Sequence, residues 1–342
     1  MSTKRILVLL GTLILAAIVL SACASQPGTA GPAGPAGAAG VAGPAGPAGA
    51  DGKSAATTDL TCKACHNDTS LISGHQTTWE TTKHGSGTTT AYAGFRPGCN
   101  GCHSGGGFSD RIAAGMKTAD IKTADPNASR IDCRACHQVH KTYTGTDWAL
   151  ETVAAVTLEA SGATYDGGMG NLCANCHQPR TAFPKATDGK VKVDSTHWGA
   201  HHGPVSSMIL GVGGGMVEGK PAPHYSMVKD TCVACHLGGA GPNANHTFLP
   251  NVATCVTCHA DAKNFDVKGV QTTIKDKLAK VEAALKAKKL LDKDGVMIVG
   301  EYPEAQAAAL WNFLMVTEDK SNGVHNSVYA NAMLDAALVA LK

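Results

Sequence analysis

Hydrophobic residues follow a regular pattern only towards the two ends of this chain of 342 residues. From residue 57 to 266, short polar and glycine-rich stretches predominate without a lasting helical or strand period. Such stretches predict loops and short turns rather than long regular elements. Aromatic residues make up only 5% of the chain, so few large side chains are available to fill a core. Something other than side chains must therefore fill the interior of this region.

The C-terminal pattern predicts three helices within residues 267–342. In the first, apolar residues recur at helical spacing with lysine and glutamate between them, and Gly295 is expected to end it. The second is predicted from about Pro303, a residue favoured at helix starts, to Val316. The third is predicted from about Asn326 to Leu341. The apolar positions of the first helix are Val270, Ile274, Leu278, Val281 and Leu285.

The amino-terminal pattern predicts export. Two basic residues precede an apolar run from Ile6 to Leu20, which is too short for a typical membrane span and predicts a signal peptide over 1–22. The run ends in Leu-Ser-Ala-Cys23, which resembles a bacterial lipobox and predicts lipidation of Cys23. The alternative is an ordinary signal peptide followed by an unrelated cysteine. No aspartate follows Cys23, which favours transport to the outer membrane of a diderm bacterium.

Residues 28–54 place glycine at every third position, and four of the nine triplets are Gly-Pro-Ala. This periodicity is collagen-like, because only glycine fits at the axis of a triple helix. The segment is short for a triple helix, so it is either a stalk that joins three chains or a polyproline II spacer of one chain. At about 3.1 Å per residue, it extends on the order of 80 Å. We predict that 23–56 forms a lipid anchor and stalk.

Twelve of the 13 cysteines lie in six copies of Cys-x-x-Cys-His, numbered here as motifs 1 to 6 in chain order. This motif attaches c-type haem: two thiols form thioethers with the porphyrin, and the histidine ligates iron. Disulfide frameworks and zinc ribbons need no histidine in this register. Six haem c groups are therefore predicted. The attachment cysteines are Cys62, Cys65, Cys99, Cys102, Cys133, Cys136, Cys173, Cys176, Cys232, Cys235, Cys255 and Cys258, and the proximal ligands are His66, His103, His137, His177, His236 and His259.

Six haems change the expected fold and charge. Macrocycles would replace side chains as the core, so 57–266 is predicted to be a loop-rich, mostly irregular and helical six-haem domain. The helices of 267–342 are expected to pack on the haems. Twelve propionates would add roughly −12 to a polypeptide of formal net charge +2. An acidic holoprotein does not suit nucleic acid, so no such partner is expected.

Nine histidines lie outside the motifs, more than the six needed for a second ligand on every iron. His140 follows His137 by three residues, so it is expected to reach the iron of a neighbouring haem. His201 and His202 are adjacent, and we prefer His201 while leaving the role of His202 open. Methionines are expected to pack rather than ligate. The predicted distal ligands are His84, His140, His201, His224, His246 and His325, and the expected spares are His75 and His197.

Several stretches resemble signatures of multihaem c-type cytochromes: Cys-His-Gln-Val-His140, His201-His202-Gly-Pro, Asn-His246-Thr-Phe and Gly-Val-His325-Asn. The lipobox and stalk resemble those of outer-surface lipoprotein cytochromes of metal-respiring bacteria. The resemblance implies bis-histidine haems, stacked in parallel and perpendicular pairs, that exchange electrons with extracellular acceptors or partner cytochromes. The related cytochrome c nitrite reductase carries a Cys-x-x-Cys-Lys haem, which this sequence lacks.

The leading hypothesis is an electron carrier without catalytic residues, anchored as a lipoprotein in the outer membrane at the cell surface. The periplasmic face of that membrane is the alternative location. One alternative function is a multihaem reductase of nitrogen or sulfur oxyanions, which needs an iron with an open position. Another is a subunit of a haem filament, with a histidine donated across the subunit interface.

Overall fold

The computed structural model describes residues 70–239 and 244–342, which lie within one compact unit. The predicted signal peptide, the anchor at Cys23, the stalk and motif 1 (Cys62 to His66) lie outside these residues. The described helices before residue 266 contain from four to 11 residues, and irregular chain connects them. The predicted fold class, loop-rich and mostly irregular with C-terminal helices, is confirmed.

The elements have the following bounds. The described α-helices are α1 Ser70–Glu80, α2 Lys83–Ser86, α3 Asn100–His103, α4 Gly105–Ala113, α5 Cys133–Cys136, α6 Asn171–Ala174, α7 Val205–Leu210, α8 Pro223–Met227, α9 Cys232–His236, α10 Val252–Val256, α11 Val270–Ala287, α12 Glu304–Asp319 and α13 Ser327–Ala340. A π-helical turn spans Thr90–Gly94, and 3₁₀ turns span Thr118–Asp120, Gly145–Trp148, Gly168–Gly170 and Val267–Gly269. The strands are β1 Val156–Thr157, β2 Thr164–Tyr165, β3 Lys190–Val193 and β4 Gly300–Pro303. Among the described residues, none of the helices has both the length and the apolar character needed to cross a bilayer.

Two small antiparallel sheets stabilise the irregular chain. β1 and β2 form a local hairpin, whereas β3 pairs with the distant β4 and places Val191 opposite Tyr302. In β3, Val191 and Val193 are buried while the lysines beside them are exposed, as expected of a strand with one face on a core. β4 leads directly into α12, so this sheet ties the motif-bearing part of the chain to the C-terminal helices.

The largest side-chain core surrounds α12. This helix buries residues on nearly all sides, among them Leu310 and Trp311, because α11 and α13 cover it together with β3 and α7. Met333 and Leu334 of α13 are also fully buried. Burial of this kind stabilises a domain by roughly 25 cal/mol per Å² of apolar surface. The C-terminal part therefore has the conventional core that the motif-bearing part has to obtain by other means.

Polar contacts fix the loop 213–215 against α12. The indole N–H of Trp311 donates to the carbonyl of Gly213 at 2.9 Å. The side-chain amide of Asn312 accepts from the N–H of Gly215 at 2.7 Å and donates to its carbonyl at 3.0 Å. Asn312 is buried, so these bonds satisfy an amide that would otherwise destabilise the core.

The predicted end of the first C-terminal helix at Gly295 is wrong. α11 ends at Ala287, because the chain turns at Lys289 (φ +60°) to bury Leu290 and Leu291 in the core. Gly295 lies further on, in a turn with φ +82°. The second and third predicted helices are present as α12 and α13, with ends within three residues of those predicted.

Replacing Leu310 by Ala should lower the free energy of unfolding by about 2–5 kcal/mol, because a fully buried leucine leaves a cavity. Val328 on α13 is 75% exposed, so Val328→Ala is the matched control. It should change the free energy of unfolding by less than about 0.5 kcal/mol. Denaturant unfolding of the holoprotein, followed by far-ultraviolet circular dichroism, measures both. Equal losses in the two variants would contradict the assigned core.

Candidate haem sites

Each described motif closes into one helical turn. The histidine N–H donates to the carbonyl of the first cysteine, at 3.0 Å in motif 2, 2.8 Å in motif 3, 2.9 Å in motif 4 and 2.8 Å in motif 6. Residues three and four positions apart lie on the same face of a helix. The turn therefore presents both thiols and the imidazole to one side, the arrangement needed to attach a porphyrin and ligate its iron. None of the ten described cysteines forms a disulfide.

A second histidine lies opposite every described motif histidine. The centroids of the paired rings are 6.0 to 6.4 Å apart. A metal–imidazole bond is about 2 Å long and the ring centre lies about 1 Å beyond the nitrogen, so two imidazoles on one metal have centroids about 6 Å apart. The pairs are His103 with His201 (6.0 Å), His137 with His246 (6.4 Å), His177 with His84 (6.1 Å), His236 with His325 (6.3 Å) and His259 with His224 (6.3 Å).

Surface exposure also fits a flat group between the rings. None of the ten paired histidines is buried. Part of the surface of His177 is exposed to solvent. The surrounding protein nevertheless desolvates its imidazole ring, which lowers the pKa of His177 to about 4. Desolvation and the nearby Arg180 likewise lower the pKa of His201 to about 4. Both rings are therefore neutral near pH 7, which is the form that ligates a metal.

Described hydrogen bonds at Nδ1 orient five of the ten paired rings. The Nδ1 atom of His137 lies 2.8 Å from the carbonyl of Trp148, and that of His236 lies 2.9 Å from the carbonyl of Phe248. His246 and His224 make the same kind of contact, with Ala244 at 2.9 Å and Val324 at 3.1 Å respectively. A carbonyl at Nδ1 requires the proton there and leaves Nε2 for iron.

His325 differs, because a carboxylate faces its Nδ1 atom. Oδ1 of Asp319 lies 2.7 Å away. Burial lowers the pKa of His325, but Asp319 and, to a smaller extent, Cys232 together raise it overall. Sequence reasoning missed Asp319, since no spacing rule connects it to a motif. It also missed Phe248, whose ring lies 5.0 Å from that of His84 and 6.3 Å from that of His246.

Four of the nine histidines outside the motifs do not lie about 6 Å from a described motif histidine. His202 turns to Glu318, with Nδ1 2.8 Å from Oε2, and its side chain is 78% exposed. His75 contacts His246 with centroids 4.1 Å apart, too close for an iron between them. The predicted ligand His140 is exposed and stacks on Tyr143. The fourth is His197. Motif 1, with His66, lies outside the described residues, so the ligand role of His140 stays a prediction.

Thiols of neighbouring motifs lie close together. The nearby Cys176 of motif 4 raises the pKa of the Cys102 thiol of motif 2, and Cys102 in turn lowers the pKa of Cys176. The other cysteine of motif 4, Cys173, has its pKa raised by Cys232 of motif 5 and lowers the pKa of that thiol. Motif 4 therefore lies between motifs 2 and 5, with its own two thiols directed to different neighbours.

Residues 54–149 match the family model described as Cytochrome c3. This stretch contains motifs 1 to 3, and the same motif recurs three times in the rest of the chain. The chain is a multihaem c-type cytochrome. Its cofactor is haem c. No curated protein matches this cytochrome in sequence.

Two solved structures are similar to the cytochrome. One is the outer cell wall cytochrome OcwA, with 26% identity, a TM-score of 0.49, and coverage of 79% of this chain and 48% of that chain. The other is an undecahaem cytochrome from the S-layer of Carboxydothermus ferrireducens, with 20% identity, a TM-score of 0.42, and coverage of 78% and 39%. The chain thus spans about half or less of each, and the likeness assigns it no substrate or partner.

Replacing His201 by Asn should convert about one haem per chain of the cytochrome from low-spin to high-spin, because the iron of motif 2 loses its second imidazole. Asparagine tolerates the left-handed backbone at this position, φ +77°. His202→Asn is the matched control and should leave every haem low-spin. Electron paramagnetic resonance of the ferric protein measures the spin state of the haems in both variants. A high-spin signal from His202→Asn alone would show that His202, and not His201, is the second ligand at motif 2.

Proposed function

We propose that this cytochrome carries electrons through six haem c groups, each held between two histidines, towards extracellular acceptors or partner cytochromes. The observation that carries the proposal is the spacing of about 6 Å in five histidine pairs, one at each described motif. An iron with two imidazoles has no position left for a substrate. Electrons are then the only species it exchanges.

The residues of the chain hold the two ligands of each iron in place. When bound, haem supplies one-electron chemistry between the ferric and ferrous forms. The motif turn fixes the proximal ring, and in motifs 3 and 5 a backbone carbonyl at Nδ1 fixes its orientation as well. Most partner rings come from short helices or loops that are themselves hydrogen-bonded. Ligands held in this way stay in place in both oxidation states, which keeps the cost of reorganisation low.

The proximity of thiols supports a continuous path through motifs 2, 4 and 5. Since both thiols of a motif bind the same porphyrin, thiols of two motifs that lie close together make the porphyrins of those motifs neighbours. Motif 6 extends this series, because Cys255 lies close enough to Cys235 of motif 5 to raise the pKa of that thiol, together with desolvation. Motif 3 joins at motif 4, where Cys136 lies near both Cys173 and Cys176. Motif 4 is thus the proposed branch point.

The function is tested by counting the haems and by their spin state. Intact mass and a pyridine haemochrome assay should give six haems per chain, and the ferric protein should show low-spin signals without a stoichiometric high-spin one. Addition of nitrite or hydroxylamine should leave the spectrum unchanged. A high-spin haem that responds to either would support the reductase alternative, and motif 1, whose partner is still a prediction, is where it would be sought.

Location at the outer surface is supported by the predicted signal peptide over 1–22, Cys23 and the glycine-repeat stalk. We expect Cys23→Ser, made in the full chain, to move the cytochrome from the membrane fraction to the soluble fraction, because acylation needs the cysteine. Its haem spectrum should not change, since Cys23 belongs to no motif. Retention in the membrane fraction would rule out a lipid anchor at this residue.

A further inference from the structure

Asp319 distinguishes the ligands of motif 5 from those of the other described motifs. Where a hydrogen bond to Nδ1 of a paired histidine is described, the partner is a backbone carbonyl in four cases, at His137, His236, His224 and His246. At His325 it is the Asp319 carboxylate, 2.7 Å away. The Asp319 side chain is 1% exposed and that of His325 is 20% exposed. The pair is therefore shielded from water, where a charge acts most strongly.

The position of Asp319 is costly for the helix that carries it. Asp319 is the last residue of α12, where the helix dipole disfavours a negative charge. A buried carboxylate also needs compensating partners. Within the described part of the chain, its salt-bridge partner is His325. Helix stability therefore does not explain this residue, whereas its contact with the imidazole does.

The loop after α12 holds the carboxylate and two ligands in one network. The Ser321 hydroxyl donates to Oδ2 of Asp319 and accepts from the N–H groups of Gly323 and His325, both at 3.2 Å. The carbonyl of Val324 in the same loop lies 3.1 Å from Nδ1 of His224, which is opposite the motif 6 histidine. This loop thus positions the second ligand of motif 5 and orients that of motif 6.

We propose that Asp319 is a positioning residue that lowers the reduction potential of the haem at motif 5, an inference that rests on the proposed function. A carboxylate that accepts from Nδ1 makes the opposite nitrogen of the ring a stronger ligand. Stronger donation and a nearby negative charge both favour ferric over ferrous iron. Because Cys232 of motif 5 lies close enough to Cys173 of motif 4 for each to shift the pKa of the other, a low potential at motif 5 favours electron flow towards the branch point.

The chain offers a matched control beside Asp319. Glu318 makes the same kind of contact, with Oε2 2.8 Å from Nδ1 of His202. His202 is 78% exposed and is not opposite a motif histidine, so Glu318 is hydrogen-bonded to no proposed ligand, and its charge acts on the proposed ligand His201 only from a distance. Glu318→Gln and Asp319→Asn therefore remove the same charge from adjacent positions, and only Asp319→Asn removes it from a carboxylate in direct contact with a proposed ligand.

The test is a redox titration of the holoprotein, followed by absorbance and electron paramagnetic resonance. Asp319→Asn keeps an acceptor oxygen for Nδ1 but removes the charge, so one haem should become easier to reduce. We expect its reduction equilibrium constant to rise at least tenfold, which is about 59 mV for one electron. All haems should stay low-spin, and Glu318→Gln should shift the titration far less than Asp319→Asn does, because Glu318 is hydrogen-bonded to no proposed ligand. No shift in Asp319→Asn, or equal shifts in both variants, would overturn the proposal.

A second variant tests the direction of the change in the reduction potential. It also keeps the proposal testable if Asp319→Asn does not fold. Ser321→Ala removes the hydroxyl that shares the negative charge of Asp319, so the same haem should become harder to reduce. A shift towards easier reduction, or none, would show that the loop matters only as structure and would also overturn the proposal. A high-spin haem in the unmodified protein would instead count against the proposed function, so the two failures are distinguishable.

Discussion

The proposed coordination of one iron by two imidazoles would constrain the whole of this molecule. It fixes two ring centroids about 6 Å apart on opposite sides of a flat macrocycle. The motif turn supplies one ring locally, but the second comes from elsewhere in the chain. His84 lies far from His177 in sequence, and His325 lies far from His236. Each filled site would therefore join two distant segments, in the way that a disulfide or a structural metal closes a loop.

This explains how a chain with few aromatic residues and little regular structure adopts a defined fold. Apart from the small cluster around β1 and β2, the large buried apolar side chains concentrate around α12, in the C-terminal part. The motif-bearing part has single-turn helices, caps and loops, which would be marginal without a ligand. Its interior is provided by the groups that it binds. The C-terminal part is more than a cover, because the loop that follows α12 supplies His325 and orients His224.

The same contacts that build the fold also organise electron transfer. Thiols of motif 4 lie close to those of motifs 2 and 5, so the cysteines that attach the porphyrins would also set which porphyrins are neighbours. Phe248 links three sites: its carbonyl faces His236, and its ring lies beside those of His84 and His246. Asp319 distinguishes one site from the other described sites by its charge. In the proposed path, the motif cysteines thus set the spacing of the haems, and a residue outside the motifs sets one potential.

Local features of this cytochrome follow from its sequence alone. Cys-x-x-Cys-His is contiguous, so attachment and the proximal ligand follow from covalent spacing, and the helical period placed α11, α12 and α13. Counting histidines proposed a set of distal ligands, but it paired none with a motif, because a pair such as His84 and His177 forms only when the chain folds back. Tertiary structure also decided that α11 stops at Ala287 to bury Leu290 and Leu291, and that a buried carboxylate faces His325. Both depend on packing between distant segments, and neither leaves a period or a motif in the sequence.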